Sequence, residues 1–328
     1  MKFLITLALS ILLFQSGLAQ TGKSNYQWNG YGQFRLYKNG SGSQGVMVRR
    51  IKLWVKGEAP GYSNLKFKVQ GNFEYKDAEQ FRLLDAYGDF TFKNGYLRFG
   101  QQTPEFSLQR LQSDWKIPLL ERASVINSLI PAAQTSARDV GLQLHLLPFT
   151  KMWEISFGVY DGKGAKIAVA EKPDFLYTFR SSVNLSFTEN YSLHLGISGM
   201  YREAHSADFS KIFGQGKPFT GRDLRFGVES LLKLAKIEIQ AEYLEARLND
   251  KKAYGFYTYV NYNFSGKNQI VVNVQKYADI NPKTKDDIWL IAGYNHLYLK
   301  NKVKLMLSGG TQFDNDYSIA AQLQIFFN

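Results

Sequence analysis

The sequence has no cysteine. Disulfides therefore cannot staple the fold, a lipid cannot be attached through a thiol, and stability has to come from burial and backbone pairing. Long apolar runs are nearly absent too. Only Phe3–Phe14 qualifies, and it is too short to cross a bilayer as a helix. Histidine is sparse, with His145, His194, His205 and His296 the whole complement. No His/Asp cluster has metal-ligand spacing and no Gly-x-Ser-x-Gly elbow occurs. No catalytic, cofactor-binding or metal-ligating residue is therefore assigned. No linker, low-complexity tract or second domain interrupts the chain.

The apolar run has a different meaning from a span. Lys2 precedes it and Gly17-Leu18-Ala19 follows it. A positive start, a short apolar stretch and small residues at the cleavage positions make a secretory signal peptide. Residues 1–19 are expected to be removed, leaving residues 20–328 as a single domain.

That domain is dominated by strict apolar/polar alternation. In Leu65-Lys66-Phe67-Lys68-Val69-Gln70-Gly71-Asn72-Phe73-Glu74 the apolar residues fall on one face of a strand and the charged and amide residues on the other. The pattern recurs in Trp153–Tyr160, Val140–Leu146 and Ser318–Phe327, and about sixteen such segments follow the signal peptide. Asp287–Tyr298 is the weakest, being apolar on both faces from Ile288 to Ala292. Short connections such as Lys93-Asn94-Gly95 and Ser265-Gly266-Lys267 alternate with long ones, Thr103–Ala137, Gly162–Asp174 and Glu203–Arg222. A soluble sandwich has no reason to sort loop lengths by end, whereas an outer-membrane barrel has short periplasmic turns and longer extracellular loops. Slightly negative mean hydropathy fits that barrel, because half of every strand faces water. The 20 Tyr and 24 Phe suit membrane interfaces. The predicted fold is all-β: a transmembrane antiparallel barrel of about sixteen strands in the outer membrane of a Gram-negative bacterium. Such a strand number leaves an aqueous channel.

Residues 46–147 resemble the phosphate-selective porin O and P family. The resemblance lies in Val48-Arg49-Arg50-Ile51-Lys52-Leu53, Leu84-Asp85-Ala86-Tyr87, Leu97-Arg98-Phe99-Gly100-Gln101 and Pro104-Glu105-Phe106-Ser107-Leu108. The pair Glu121-Arg122, then Asp139-Val140-Gly141, and Phe157-Gly158-Val159-Tyr160-Asp161-Gly162 follow in family order. It implies a homotrimeric channel with a loop folded into the lumen, passing anions fed by lysines and narrowed by arginines. Barrel assembly signals usually end on an aromatic residue, whereas here Asn328 trails Phe327.

Electrostatics points the same way. The formal charge is +12; export argues against nucleic acid as a partner, and rings of Arg or Lys make anion pores. Alternation places Arg35, Arg50, Lys52, Lys56, Lys66, Lys68 and Arg98 on polar strand faces as pore-lining residues, with Arg180, Arg225 and Lys236 as candidates opposite. Glu74, Asp85, Asp89, Glu154, Glu229, Glu238 and Glu242 share those faces and dilute the charge. In the stretch 103–137 Trp115, Ile117, Leu119, Leu120, Val125, Ile126, Leu129 and Ile130 need burial. This fits an inserted constriction loop, or alternatively a loop capping the mouth. Arg110, Lys116, Arg122 and Arg138 are the candidate constriction residues, opposed by Glu105, Asp114 and Glu121. The expected function is passive diffusion of small hydrophilic solutes, anions such as phosphate, through a water-filled lumen lined by Arg and Lys. The expected partners are those solutes, outer-membrane lipid and the barrel assembly machinery. The alternatives are a specific channel for organic anions or oligosaccharides, for which Tyr31, Trp54, Tyr87, Tyr160, Tyr257 and Tyr259 on polar faces would serve, and a non-conducting scaffold or adhesion barrel. Enzyme barrels are usually narrower, which argues against catalysis.

Overall fold

The computed structural model describes residues 26–75, 79–148, 152–165, 174–209, 212, 218–280, 288–299, 302–312 and 316–327. The expected signal peptide and Asn328 lie outside these. Sixteen strands close into one barrel in which every strand pairs antiparallel with its chain neighbours and β1 pairs with β16. They are β1 Tyr26–Asn39, β2 Gln44–Ala59, β3 Tyr62–Tyr75, β4 Glu79–Phe92, β5 Gly95–Gln102, β6 Asp139–Leu146, β7 Trp153–Tyr160 and β8 Leu176–Thr188. The second half comprises β9 Tyr191–Ala207, β10 Phe219–Leu234, β11 Ile237–Leu248, β12 Lys251–Ser265, β13 Asn268–Ala278, β14 Ile288–Tyr298, β15 Val303–Gln312 and β16 Tyr317–Phe327. Among the described residues no helix is long and apolar enough to cross a membrane. The strands do the crossing, and closure leaves no edge for lipid to satisfy.

Alternation decides what each face meets. Leu142, Phe157, Val159, Ile197, Leu224, Phe226, Val272 and Leu307 are exposed on the outer wall, an arrangement that only a hydrocarbon surround makes favourable. Polar residues in the alternate strand phase, Gln70, Asn72, Gln143, Gln240, Asn273 and Gln322, point inward and are buried. Tyr62, Phe92, Trp153, Phe187, Tyr191, Phe264 and Tyr298 are exposed beside the even-to-odd turns, forming an aromatic girdle at that end. The long connections 103–138, 161–175, 208–218 and 279–287 all run from an odd to an even strand, so they share the opposite end. The expected long connection Glu203–Arg222 is shorter, because β9 runs on to Ala207 and β10 begins at Phe219.

Six strand pairings among the described residues carry a register shift, and two of these are bulges within the β1–β4 wall. Gln33 pairs with Arg50 while Phe34 pairs with Val48, which leaves Arg49 as the extra residue of β2. Gln70 pairs with Asp85 while Gly71 pairs with Leu83, which leaves Leu84 as the extra residue of β4. A bulge re-aims side chains within a strand, and both lie in the wall that faces the inserted segment.

The segment between β5 and β6 folds into the barrel. It carries α1, Leu108–Leu111, and α2, Ser124–Leu129. The Ser107 hydroxyl caps α1 by accepting from the Arg110 N–H at 3.3 Å. Val125, Ile126 and Leu129 of α2 are fully buried and pack with Leu244, Ala246, Ala253, Tyr257, Tyr259 and Val271 of β11, β12 and β13. Each such side chain contributes about 1.5–3 kcal/mol of burial. Polar wall groups satisfy the loop backbone. Asn295 donates to the Pro118 carbonyl at 2.8 Å, Lys304 to that of Ile117 at 3.0 Å and Gln324 to that of Trp115 at 3.2 Å. The Arg225 guanidinium donates to the carbonyls of Leu129 and Ile130 at 2.9 Å each. The insertion thus takes its apolar residues to the β11–β13 wall and leaves its charged residues toward β1–β5.

Candidate functional site: a basic passage between the loop and the β1–β5 wall

A cavity of about 210 Å³ lies on that charged side. Its lining combines Lys52, Lys68, Arg98, Arg110, Arg122 and Arg138 with Asp85, Glu105 and Asp114. Most of the charges are organised around three carboxylates. Asp114 accepts from Arg50 at 2.8 Å and from the Tyr31 hydroxyl at 3.1 Å, and it also pairs with Lys52 and Arg122. Glu121 pairs with Arg35 at 2.7 Å, Arg49 at 2.7 Å and Arg50 at 3.3 Å. Asp85 pairs with Lys68 at 2.6 Å and Arg138 at 2.7 Å. Seven cations thus share three carboxylates. Arg110 adds an eighth: it donates to the Ser136 carbonyl and has no carboxylate within ion-pair distance among the described residues. Arg98 is paired one-to-one with Asp89 at 2.6 Å and lies 3.8 Å from the centre of the Tyr87 ring.

Burial and cation density shape the loop's own ionisation. Burial alone would raise the Glu121 carboxyl, but Arg50, Arg49 and Arg35 outweigh it and bring it down to about 2. Its side chain remains 40% open to solvent, so the arginines set this value rather than a dry environment. Burial, reinforced by the Arg138 charge, pushes Arg110 well below the ordinary arginine value. The site therefore favours an added negative charge.

The expected lining residues separate into groups. Arg35, Arg50, Lys52, Lys68 and Arg98 line the interior beside Arg110, Arg122 and Arg138. Lys56 and Lys66 share a strand face with Lys52 and Lys68 but are exposed near the β2–β3 turn, away from the narrow region. Lys116 is exposed with its ammonium 5.2 Å from the Trp115 ring centre, outside the carboxylate-centred cluster. Lys236 occupies the exposed β10–β11 turn and not the wall. Arg180 and Arg225 are inside but neutralised. Arg180 holds Glu229 at 2.5 Å and Glu105 at 3.4 Å; Arg225 holds Asp223 at 2.8 Å beneath the loop. Arg49 and Lys304 also reach the interior: Arg49 through the β2 bulge, and Lys304 in the inward phase of β15, alternating with outward Leu305 and Leu307. Tyr31, Tyr160, Tyr257 and Tyr259 are buried inward and do not form a membrane-interface belt.

His194 is held between Asn184 at 2.6 Å and Glu229 at 2.9 Å, and His145 is not arranged for proton relay. The Nδ1 atom of His145 meets both the Ser156 hydroxyl at 2.9 Å and Glu105 at 3.6 Å. One ring nitrogen serves both contacts, and Ser156 is buried, so neither a relay through the ring nor an exposed nucleophile is formed. Among the described residues no group of three metal-ligating side chains occurs.

A closed sixteen-stranded barrel with a lipid-compatible exterior, a polar interior and a loop narrowing the lumen defines an outer-membrane porin. The sequence profile of the phosphate-selective porins O and P matches residues 22–287, and the chain belongs to that family. No curated relative matches. The fold is shared with OmpT, an outer membrane protein of Vibrio cholerae in its trimer form: TM-score 0.65, 10% identity, 92% of this chain and 99% of that one. It is shared equally with Salmonella typhi OmpF in complex with daunomycin, at TM-score 0.65 and 11% identity over 92% and 97% of the two chains. A mutant of the Rh. blastica porin aligns at TM-score 0.62 and 11% identity over 92% of this chain and all of that one.

Proposed function

We propose that this porin conducts anions by passive diffusion through the passage between the inserted loop and the β1–β5 wall. The observation that carries the reading is the excess of cations there: eight Lys and Arg side chains around three carboxylates. Fixed cations in a low-dielectric passage raise the local concentration of anions and lower that of cations. Exposed Lys56 and Lys66 draw anions toward the turn-side mouth, and the cluster around Asp114 selects among them. Charge and width discriminate anions from cations and small solutes from large ones; no bond is made or broken. Phosphate is a member of the permeant class. The working assembly is a homotrimer, delivered to the outer membrane after cleavage behind Ala19.

The test is single-channel recording of folded protein in a planar bilayer under a KCl gradient. An anion-selective reversal potential, with conductance reduced by added phosphate, is the expected result. A cation-selective or unselective pore would sink the anion reading while leaving the porin. Absence of conductance from verified folded protein would favour a scaffold barrel.

A further inference from the structure

Aromatic rings share the basic passage. Tyr31, Trp54, Tyr87 and Trp115 line the same cavity as Arg110 and Lys52. They are organised, not scattered. Trp54 is 6.3 Å from Tyr31 and 5.8 Å from Phe326, and Phe326 is 5.0 Å from Trp115, measured between ring centres. Inward placement of Trp54 and Phe326 follows from strand alternation, so these rings occupy positions where polar residues would suit an aqueous passage better. A bare inorganic ion gains nothing from indole faces and has no reason to meet four tyrosine and tryptophan rings beside this cluster of cations.

Size argues in the same direction. The cavity measures about 210 Å³, whereas an apolar cavity of about 150 Å³ is enough to hold a benzene ring. Room therefore remains for a ring and a carboxylate together. Arg110 supplies the partner for the charge. Its Nε is buried with no hydrogen-bond acceptor, and no carboxylate pairs with it, so a planar oxyanion would satisfy a donor otherwise left unmet.

We infer that the passage is a binding site for a small organic oxyanion carried on a flat ring, with aryl carboxylates as the chemical class. The anionic group lies toward Arg110, and the ring lies among Trp54, Tyr31 and Trp115. The inference rests on the anion-channel reading and narrows it to ring-bearing solutes over inorganic anions.

The test is block of chloride current through the full-length mature protein by benzoate, acetate and inorganic phosphate, with the KCl reversal potential taken in the same bilayer. Benzoate is expected to block at a concentration about tenfold below acetate and phosphate, the factor expected from stacking and burying one aromatic ring. Trp54→Leu, with folding verified by heat-modifiable gel mobility, is expected to erase that advantage. If Trp54→Leu does not fold, Trp54→Phe replaces it and is expected to reduce the advantage. Equal block by all three anions in an anion-selective channel would overturn the inference and leave the anion reading intact, as would benzoate block unchanged in the folded variant. A cation-selective reversal potential would remove the anion reading itself.

Discussion

At the scale of the residue, the passage is a problem in charge compensation. Asp114 is the shared counter-ion of Arg50, Lys52 and Arg122, so it both holds the loop against the wall and subtracts from the positive potential. Asp114→Asn keeps size and one acceptor while deleting the charge. The expected outcome is a several-fold rise in the chloride-to-potassium permeability ratio, read from the reversal potential, together with noisier current as the loop loses its anchor. Glu121 gives a pH prediction. Its carboxyl is depressed in the folded protein to about 2 from the ordinary ~4.3. The ion pairs it makes therefore stabilise fully above about pH 4.3 and are lost as pH falls through about 2. The contribution of these ion pairs, read as the conductance difference between wild type and Glu121→Gln, is expected to stay constant from pH 7 to about 4.5 and to vanish only near pH 2; its loss near neutrality would contradict the assignment. Much of this site was legible in the sequence, because Arg35, Arg50, Lys52, Lys68 and Arg98 lie on polar strand faces. Arg49 was hidden by the bulge that lets two consecutive arginines reach Glu121. The signal was there, since the outward apolar positions slip phase from Val46 and Val48 to Ile51, Leu53 and Val55. A strand without a bulge cannot do that.

At the scale of the element, the inserted loop works as a wedge with two unlike sides. Its apolar side is sealed against β11, β12 and β13, and its charged side defines the passage. Burial requirements of Val125, Ile126, Leu129 and Ile130 made insertion readable, but not which wall receives them. That depends on a surface that several distant strands form only after closure. Gly255 of β12 is part of that surface. A Cβ placed there would lie 2.8 Å from Val125 Cγ2 and 2.4 Å from the Lys276 carbonyl oxygen, so α2 sits on bare backbone. Gly255→Val is expected to push α2 off the wall and to strain the β12–β13 pairing at Lys276, at a cost of about 3 kcal/mol or more, the upper end of the range for overpacking. The visible consequence would be a larger single-channel conductance with weaker anion selectivity, because the basic face of the loop moves away from Arg50 and Lys52. Unchanged conductance in folded Gly255→Val protein would show that the loop does not set the width.

At the scale of the whole molecule, strand number, closure and the sorting of long connections to one end follow from a period of two and from turn spacing, so the architecture was legible almost throughout. The weak strand Asp287–Tyr298 was less so, because Ile291 on its inner face packs against the apolar cluster beneath the inserted loop. β14 carries Ala292 outward beside Gly309 of β15, and Ala321 of β16 lies a row away between Leu307 and Leu36. These small residues make a shallow hollow on the outer wall that extends to Gly45 and Val46 of β2. Elsewhere Phe, Leu, Ile and Val dominate the wall, and the outward glycines Gly30, Gly71 and Gly88 lie under the rings of Phe327, Phe81 and Phe99, whereas no side chain of the barrel covers Gly309. Close approach of another wall needs such a bare position, since small residues let backbones meet and gain dispersion contacts that lipid does not provide. In the proposed homotrimer this hollow would receive a neighbouring subunit. Gly309 offers a clean probe, because a Cβ built there meets nothing nearer than the Ser318 carbonyl oxygen at 4.0 Å. The barrel itself tolerates a side chain at that position. Gly309→Trp is therefore expected to leave the folded monomer band intact on heat-modifiable gels while shifting the unheated protein from trimer to monomer in native electrophoresis and light scattering. A trimer that survives the substitution would place the subunit contact on another part of the wall, and a wild-type protein that is already monomeric would end the homotrimer proposal.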